Sequence, residues 1–163
     1  MNYSKMKKAE LLKEMEKLQE TVNELQKTQA KYKALFETSR DAIMLLAPEE
    51  GFLSCNPATV ELFRCKDEED FCRYTPWDLS PEYQPDGELS SEKAHRMISM
   101  AMEKGSHFFE WVHKRVDGEE FSANVLLARM QLEDRAVLQA TVRDISLLKD
   151  TEAALKESEE EYR

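Results

Sequence analysis

Two stretches of heptad-spaced apolar residues bracket a middle with a different rhythm, and that division restricts the fold more than any other feature. From Leu11 onward, Met15, Leu18, Val22, Leu25, Gln29, Tyr32 and Phe36 follow in alternating steps of four and three. With Leu11 at d, the a positions are Met15, Val22, Gln29 and Phe36, and the remaining d positions are Leu18, Leu25 and Tyr32. A β-branched residue at a with leucines at d favours a parallel two-stranded coiled coil, and one polar residue at a, here Gln29, helps fix register. Residues 1–36 are therefore expected to be an N-terminal coiled-coil helix that makes a homodimer through those eight positions. Leu148, Leu155 and Tyr162 repeat the spacing at the other end. Leu25, Thr28, Tyr32 and Lys33 recur as Leu155, Ser158, Tyr162 and Arg163, 130 residues later. A repeat at domain spacing is expected of one module in a tandem array.

The 163 residues, 41% hydrophobic and 34% charged, suit one globular domain of about a hundred residues with charged helices attached. The formal charge is −10, while residues 1–38 carry eight Lys against six Glu. The deficit lies in the middle and tail, which argues against nucleic-acid binding, because phosphates need a basic face. No apolar run approaches the roughly 18 residues of a membrane span, so no direct membrane contact and a cytoplasmic location are expected. Cys55, Cys65 and Cys72 form no CxxC pair and have no histidine at metal-ligand spacing. Reduced thiols and no metal are expected, with Cys65 and Cys72 left open as redox sensors.

The middle reads as α+β. Residues 42–46 and 52–55 are short apolar strands separated by Pro48-Glu49-Glu50-Gly51. Asn56-Pro57 then opens a helix, Asn56 suiting the cap and Pro57 the first helical position. Residues 66–91 are polar and irregular. A clearer helix over 91–104 ends at Gly105. Residues 108–115 and 120–130 flank Asp117-Gly118, a strong hairpin signal, and a turn near Glu133-Asp134 leads into 136–142. Two strands, several helices and a three-stranded meander make one antiparallel sheet.

Tyr32-Lys33-Ala34-Leu35-Phe36-Glu37, Asp41-Ala42-Ile43, Asn56-Pro57-Ala58 with Leu62-Phe63, Asp117-Gly118-Glu119-Glu120-Phe121 and Val142-Arg143-Asp144-Ile145-Ser146 come in a telling order. In that order and spacing, over residues 32–163, the chain resembles a PAS sensor domain of the kind found in tandem-PAS sensor histidine kinases. The resemblance implies a five-stranded antiparallel sheet with flanking helices enclosing a pocket, a domain over 37–146, and a signalling linker helix over 147–163. It further implies a hinge at Asp144, Ile145 and Ser146, with Asp144 capping the linker helix and pairing with an arginine. Adjacent PAS or kinase modules are the implied partners within a longer chain.

Strand alternation gives that pocket a lining. One face offers Phe109, Trp111, Phe121, Ala123, Val125, Leu127, Leu138, Ala140 and Val142. With Phe63 and the helical Met97, Ile98 and Ala101, the expected pocket residues are Phe63, Met97, Ile98, Ala101, Phe109, Trp111, Val125, Leu127, Leu138 and Ala140. Met100, Met102 and Trp77 are further candidates for its wall. The opposite face keeps Val112, Leu126, Val137 and Thr141, with Leu35 and Phe36 as the expected cover. The resemblance also raises haem ligation through His95, which sits off the helix's inward stripe of Ala94, Met97, Ile98 and Ala101. His95, His107 and His113 are expected to be solvated or satisfied. Phe63-Arg64-Cys65-Lys66-Asp67-Glu68 lacks the cysteine motif that flavin photochemistry uses in this family, so no flavin is expected. No Gly-rich nucleotide loop, nucleophile elbow or phosphoacceptor-histidine helix is present, so no catalytic residue is assigned. The expected function is a sensory and dimerising relay for a small-molecule or upstream signal, the alternative being a ligand-free structural spacer.

Overall fold

The computed structural model describes residues 3–163, the side chain of Tyr3 excepted, and separates them into two units, residues 3–38 and 39–163. The first is one helix, α1 (Tyr3–Thr38), of 36 residues and about 54 Å. It extends two residues past the expected end at 36. Met1 and Asn2, inside the expected coiled-coil segment, lie outside the described residues. Most heptad positions are exposed: Leu11, Met15, Leu18, Leu25 and Tyr32 each keep more than half their surface and Val22 slightly less, while Phe36 is half-buried.

The second unit holds β1 (Ala42–Ala47), β2 (Gly51–Cys55), α2 (Pro57–Phe63), α3 (Glu68–Phe71), α4 (Ser90–Lys104), β3 (Ser106–Lys114), β4 (Glu120–Leu132), β5 (Arg135–Asp144) and α5 (Ser146–Glu161). All strands pair antiparallel in the order β2-β1-β5-β4-β3. The first strand thus pairs with the last, Ala42 opposite Val142, so the chain enters and leaves the sheet at the same end of two neighbouring interior strands. A bidentate ion pair from Arg143 to Asp41 ties those strand ends, with its Nε and Nη2 at 3.1 and 2.8 Å from the two carboxylate oxygens.

Local chemistry sets the element ends. The wholly buried Asn56 accepts the Thr59 N–H at 3.1 Å and the Ile43 N–H at 3.0 Å through Oδ1, and donates from Nδ2 to the Asp41 carbonyl. One side chain thereby starts α2 and locks it to β1, combining cap and core contact. α4 ends where Gly105 adopts a φ of +96° and returns its N–H to the Ala101 carbonyl.

The core lies on the sheet face expected to be apolar. Trp111, Phe121, Ala123, Val125, Leu127, Leu138, Ala140 and Val142 pack with Ala42, Met44 and Leu46 against Phe63, Phe71, Leu79, Ala94, Met97 and Ala101. On the reverse face Val137 is fully buried, whereas Leu126 and Phe108 are 40% and 62% exposed. The polar stretch before α4 proves structural. Gln84, 3% exposed, accepts the Val112 N–H and donates to the Val112 carbonyl, pairing with edge strand β3 as another strand would. The Leu79 carbonyl takes the Lys114 N–H at 2.8 Å. A residue-type pattern does not show this, because the pairing partner is one amide side chain in an irregular loop.

Candidate functional site

Between the concave sheet face and α4 lies an apolar cavity of ≈ 50 Å³. It is lined by Met44, Leu46, Phe52, Pro76, Ala94, Met97, Ile98, Phe109, Trp111, His113, Val125, Leu127, Ala140 and Val142. The expected lining residues Met97, Ile98, Phe109, Trp111, Val125, Leu127 and Ala140 come together there. Phe63, Ala101 and Leu138 do not line it. They are 1%, 0% and 0% exposed and packed solidly into neighbouring core, so they face no free volume. Met100 and Met102 only pack part-buried against the core, and Trp77 stacks on His95 at 4.7 Å between ring centres. The alternation over 42–46 carried a signal for Met44 and Leu46, and the inward stripe of α4 one for Ala94. Phe52 and Pro76 gave none, because a five-residue strand and an irregular loop have no period to read.

The volume sets limits. About 10–15 Å³ holds a water, so the free volume of ≈ 50 Å³ is that of a few waters. A haem or flavin ring does not fit such a cavity. His95 is exposed and off its lining, with Nδ1 2.6 Å from the Ser91 carbonyl, so the haem ligand suggested by resemblance does not fit the geometry. The cysteines are poor nucleophiles. Burial pushes the Cys55 thiol up to about 12 and the Cys65 thiol up to about 11, and raises Cys72 as well. Among the described residues, no group of three His, Cys, Asp or Glu is placed to hold a metal ion.

His113 is the polar exception in the lining. Its ring stacks on Phe121 at 5.5 Å and takes the edge of Phe63 at 5.2 Å. Nδ1 lies 3.1 Å from the Leu79 carbonyl. A carbonyl only accepts, so Nδ1 carries the proton and Nε2 the lone pair. Nε2 is enclosed and meets no hydrogen-bond partner among the described residues. Burial pushes this histidine down to about 4, against an ordinary 6.5. The expectation that it would be solvated or satisfied thus holds for one ring nitrogen only. His107, by contrast, meets Met97 Sδ at 3.2 Å and stacks on Phe109.

A chain of contacts leads from His113 to the last helix. The Arg115 guanidinium lies over the Phe121 ring, 4.2 Å from its centre. Arg115 also donates to the Leu62 carbonyl at the end of α2 and, through Nη2, to Asp144 Oδ2 at 3.1 Å. Asp144 Oδ1 accepts the Ser146 N–H, the first of α5, at 2.9 Å. Burial alone would raise the Asp144 carboxyl, but the hydrogen bonds from Ser146 and Arg115 outweigh it and hold it low. The expected cap is thereby refined. Ile145 occupies the capping position without a side-chain bond, and Asp144 reaches forward from the last residue of β5. The joint is also pinned to β4: Ile145 N–H donates to the Ser122 carbonyl, and Ser122 N–H to Ser146 Oγ. One turn on, Lys149 pairs with Glu110 at 2.7 Å. The sequence flagged Asp144, Ile145 and Ser146, but nothing in it singled out Arg115.

A family model described as a PAS domain matches residues 30–96. Solved structures agree over more of the chain. The PAS domain of an HTR-like protein from Haloarcula marismortui is 24% identical with a TM-score of 0.65, over 78% of this chain and 99% of that one. A PAS domain from a two-component sensor histidine kinase is 19% identical with a TM-score of 0.58, over 75% and 98%. A PAS domain of a LuxR-family transcriptional regulator from Burkholderia thailandensis, in complex with ethanol, is 22% identical with a TM-score of 0.55, over 71% and 97%. No curated protein matches the chain in a sequence search.

Proposed function

We propose that the PAS domain carried by this chain is a dimeric, non-catalytic relay in a cytoplasmic signalling protein such as a sensor histidine kinase. In this reading α1 pairs with its copy in a second subunit, and the exposed apolar seam from Leu11 to Tyr32 supports it. The sheet responds to a ligand in the cavity or to a neighbouring module, and α5 passes the change on. The observation that carries the reading is the unbroken series from cavity wall to helix start: His113 on Phe121, Phe121 under Arg115, Arg115 on Asp144, Asp144 on Ser146. A shift of Phe121 moves Arg115, and Arg115 and Asp144 together decide whether the first α5 amide is held. In this reading the joint alternates between the bonded arrangement of the structure and a released one, as a switch requires. The ethanol complex of the Burkholderia PAS domain is a precedent, on the same fold, for a small occupant.

The ligand-free spacer reading draws support from one observation, the small cavity volume. Replacement of Asp144 by alanine separates the two. With the chain fused to a histidine-kinase output region, Asp144→Ala should leave the domain folded, at a cost of about 1 kcal/mol for the lost cap. Autophosphorylation should then stop following the input that switches the parent fusion. Unchanged switching in the variant removes the relay role from this joint.

A further inference from the structure

We infer that the groove where edge strand β3 meets the 84–86 loop, α4 and the first turn of α5 is a site for a free aliphatic amino acid, held through its ammonium and its carboxylate together. The site stands apart from the core cavity, with which it shares only Trp111. Its volume is ≈ 240 Å³, against ≈ 50 Å³ for the cavity, and approaches the about 300 Å³ of the smaller ligand pockets. Four charged side chains line it: Asp86 from the loop, Lys93 from α4, Glu110 from β3 and Lys149 from α5. They form two ion pairs, Lys93 Nζ to Asp86 Oδ2 at 2.8 Å and Lys149 Nζ to Glu110 Oε2 at 2.7 Å. Lys93 is the most enclosed of the four, its side chain 19% exposed and its ammonium 5.8 Å from the centre of the Trp111 ring.

The charges select the ligand class. The hydrogen bond from Lys93, with one from the Glu88 N–H, holds the Asp86 carboxyl below its ordinary range, and the bond to Glu110 raises Lys149. The lining is thus neutral overall but divided in sign. A lone anion or cation entering it leaves one charge unmatched, and an anion also meets a chain of net charge −10. A zwitterion adds one charge of each sign. Its carboxylate joins the Lys93 and Lys149 ammonium groups, and its ammonium joins the Asp86 and Glu110 carboxylates. Ion pairs this open to solvent are individually weak, so they yield to a ligand at little cost. Pro85 and Val112 supply an apolar wall for a short aliphatic side chain. A bound amino acid links the first turn of α5 to α4 and the 84–86 loop.

The test uses L-valine with isovalerate and isobutylamine, which keep its branched carbon chain but lack the ammonium and the carboxylate respectively. Titrated into the isotope-labelled full chain at physiological salt, L-valine should shift the amide resonances of Lys93, Glu110 and Lys149 saturably. The dissociation constant should lie in roughly the millimolar range for so small a ligand. Each analogue should bind at least about tenfold more weakly, because it leaves two of the groove's charges without the group they face. Lys149→Met, at a half-exposed position whose loss the fold tolerates, should weaken L-valine at least about tenfold, and Lys149→Arg should restore it. Absence of a saturable shift, equal affinity for L-valine and either analogue, or binding indifferent to Lys149→Met overturns the inference. So do shifts centred on Val125 and Ala140, which line the core cavity instead.

Discussion

Lysine in place of both Val22 and Leu25 should turn a dimer into a monomer. The two residues sit at successive a and d positions near the middle of α1, and they are 43% and 64% exposed in the single chain. In a parallel pair each meets its own copy, so the double variant places four ammonium groups at the seam where four aliphatic side chains packed. Losing that burial at about 1.5–3 kcal/mol per side chain, with like-charge contact added, should weaken association by more than about a hundredfold. Lysine has good helix propensity, so helicity by circular dichroism should persist while the sedimenting mass halves. A variant that still sediments as a dimer would place the interface on the sheet domain.

The second large effect concerns acid. His113 is held at about 4 in the folded protein and is expected near 6.5 when unfolded. As pH falls through 6.5 the unfolded chain binds a proton that the folded chain refuses until about pH 4, so acid favours unfolding across that window. Linkage then predicts a loss of about 2 kcal/mol at pH 5 and about 3 kcal/mol near pH 4, relative to neutral pH. Burial explains the refusal, since Phe63, Phe121 and Trp111 lie against the ring, and it outweighs the Leu79 hydrogen bond that favours the charged form. Asp41, Asp86, Asp117 and Asp144 are all held below their ordinary 3.8, so their contributions fade mostly beneath this window. Urea melts at several pH values should show the slope in the parent and its absence in His113→Phe. An equal slope in both would assign the acid sensitivity elsewhere.

How far the sequence revealed all this depends on the kind of signal. Elements with a period were legible: the seven-residue spacing of α1, the alternation of β3 to β5, and the inward stripe of α4. Punctuation was legible too, since Asn56-Pro57, Gly105 and Asp117-Gly118 each act through a local backbone requirement. Contacts between residues distant in sequence were not. The pairing of Gln84 with the edge of β3 and the reach of Arg115 to Asp144 depend on where the sheet brings residues together. The cavity lay between. Seven of its walls follow from strand and helix faces, yet Phe63, Ala101 and Leu138, on equally apolar faces, ended in solid packing. Alternation tells which side a residue faces, and only the packed volume tells whether a gap remains there. His113 shows the same limit, because a lone histidine in a strand carries no mark of which ring nitrogen will be satisfied.

The central claim is that the state of the cavity is felt at the start of α5 through Arg115 and Asp144. Amide hydrogen exchange at Lys149, whose N–H bonds the Ile145 carbonyl at 2.9 Å, reads that point directly. Filling the cavity with Ala140→Val should change the Lys149 exchange rate by at least about threefold in the parent chain, the scale of a local opening shifted by somewhat under 1 kcal/mol. The same filling in an Asp144→Asn background should leave the rate unmoved. A Lys149 amide indifferent to Ala140→Val, or one that responds equally with Asp144→Asn, would contradict the relay.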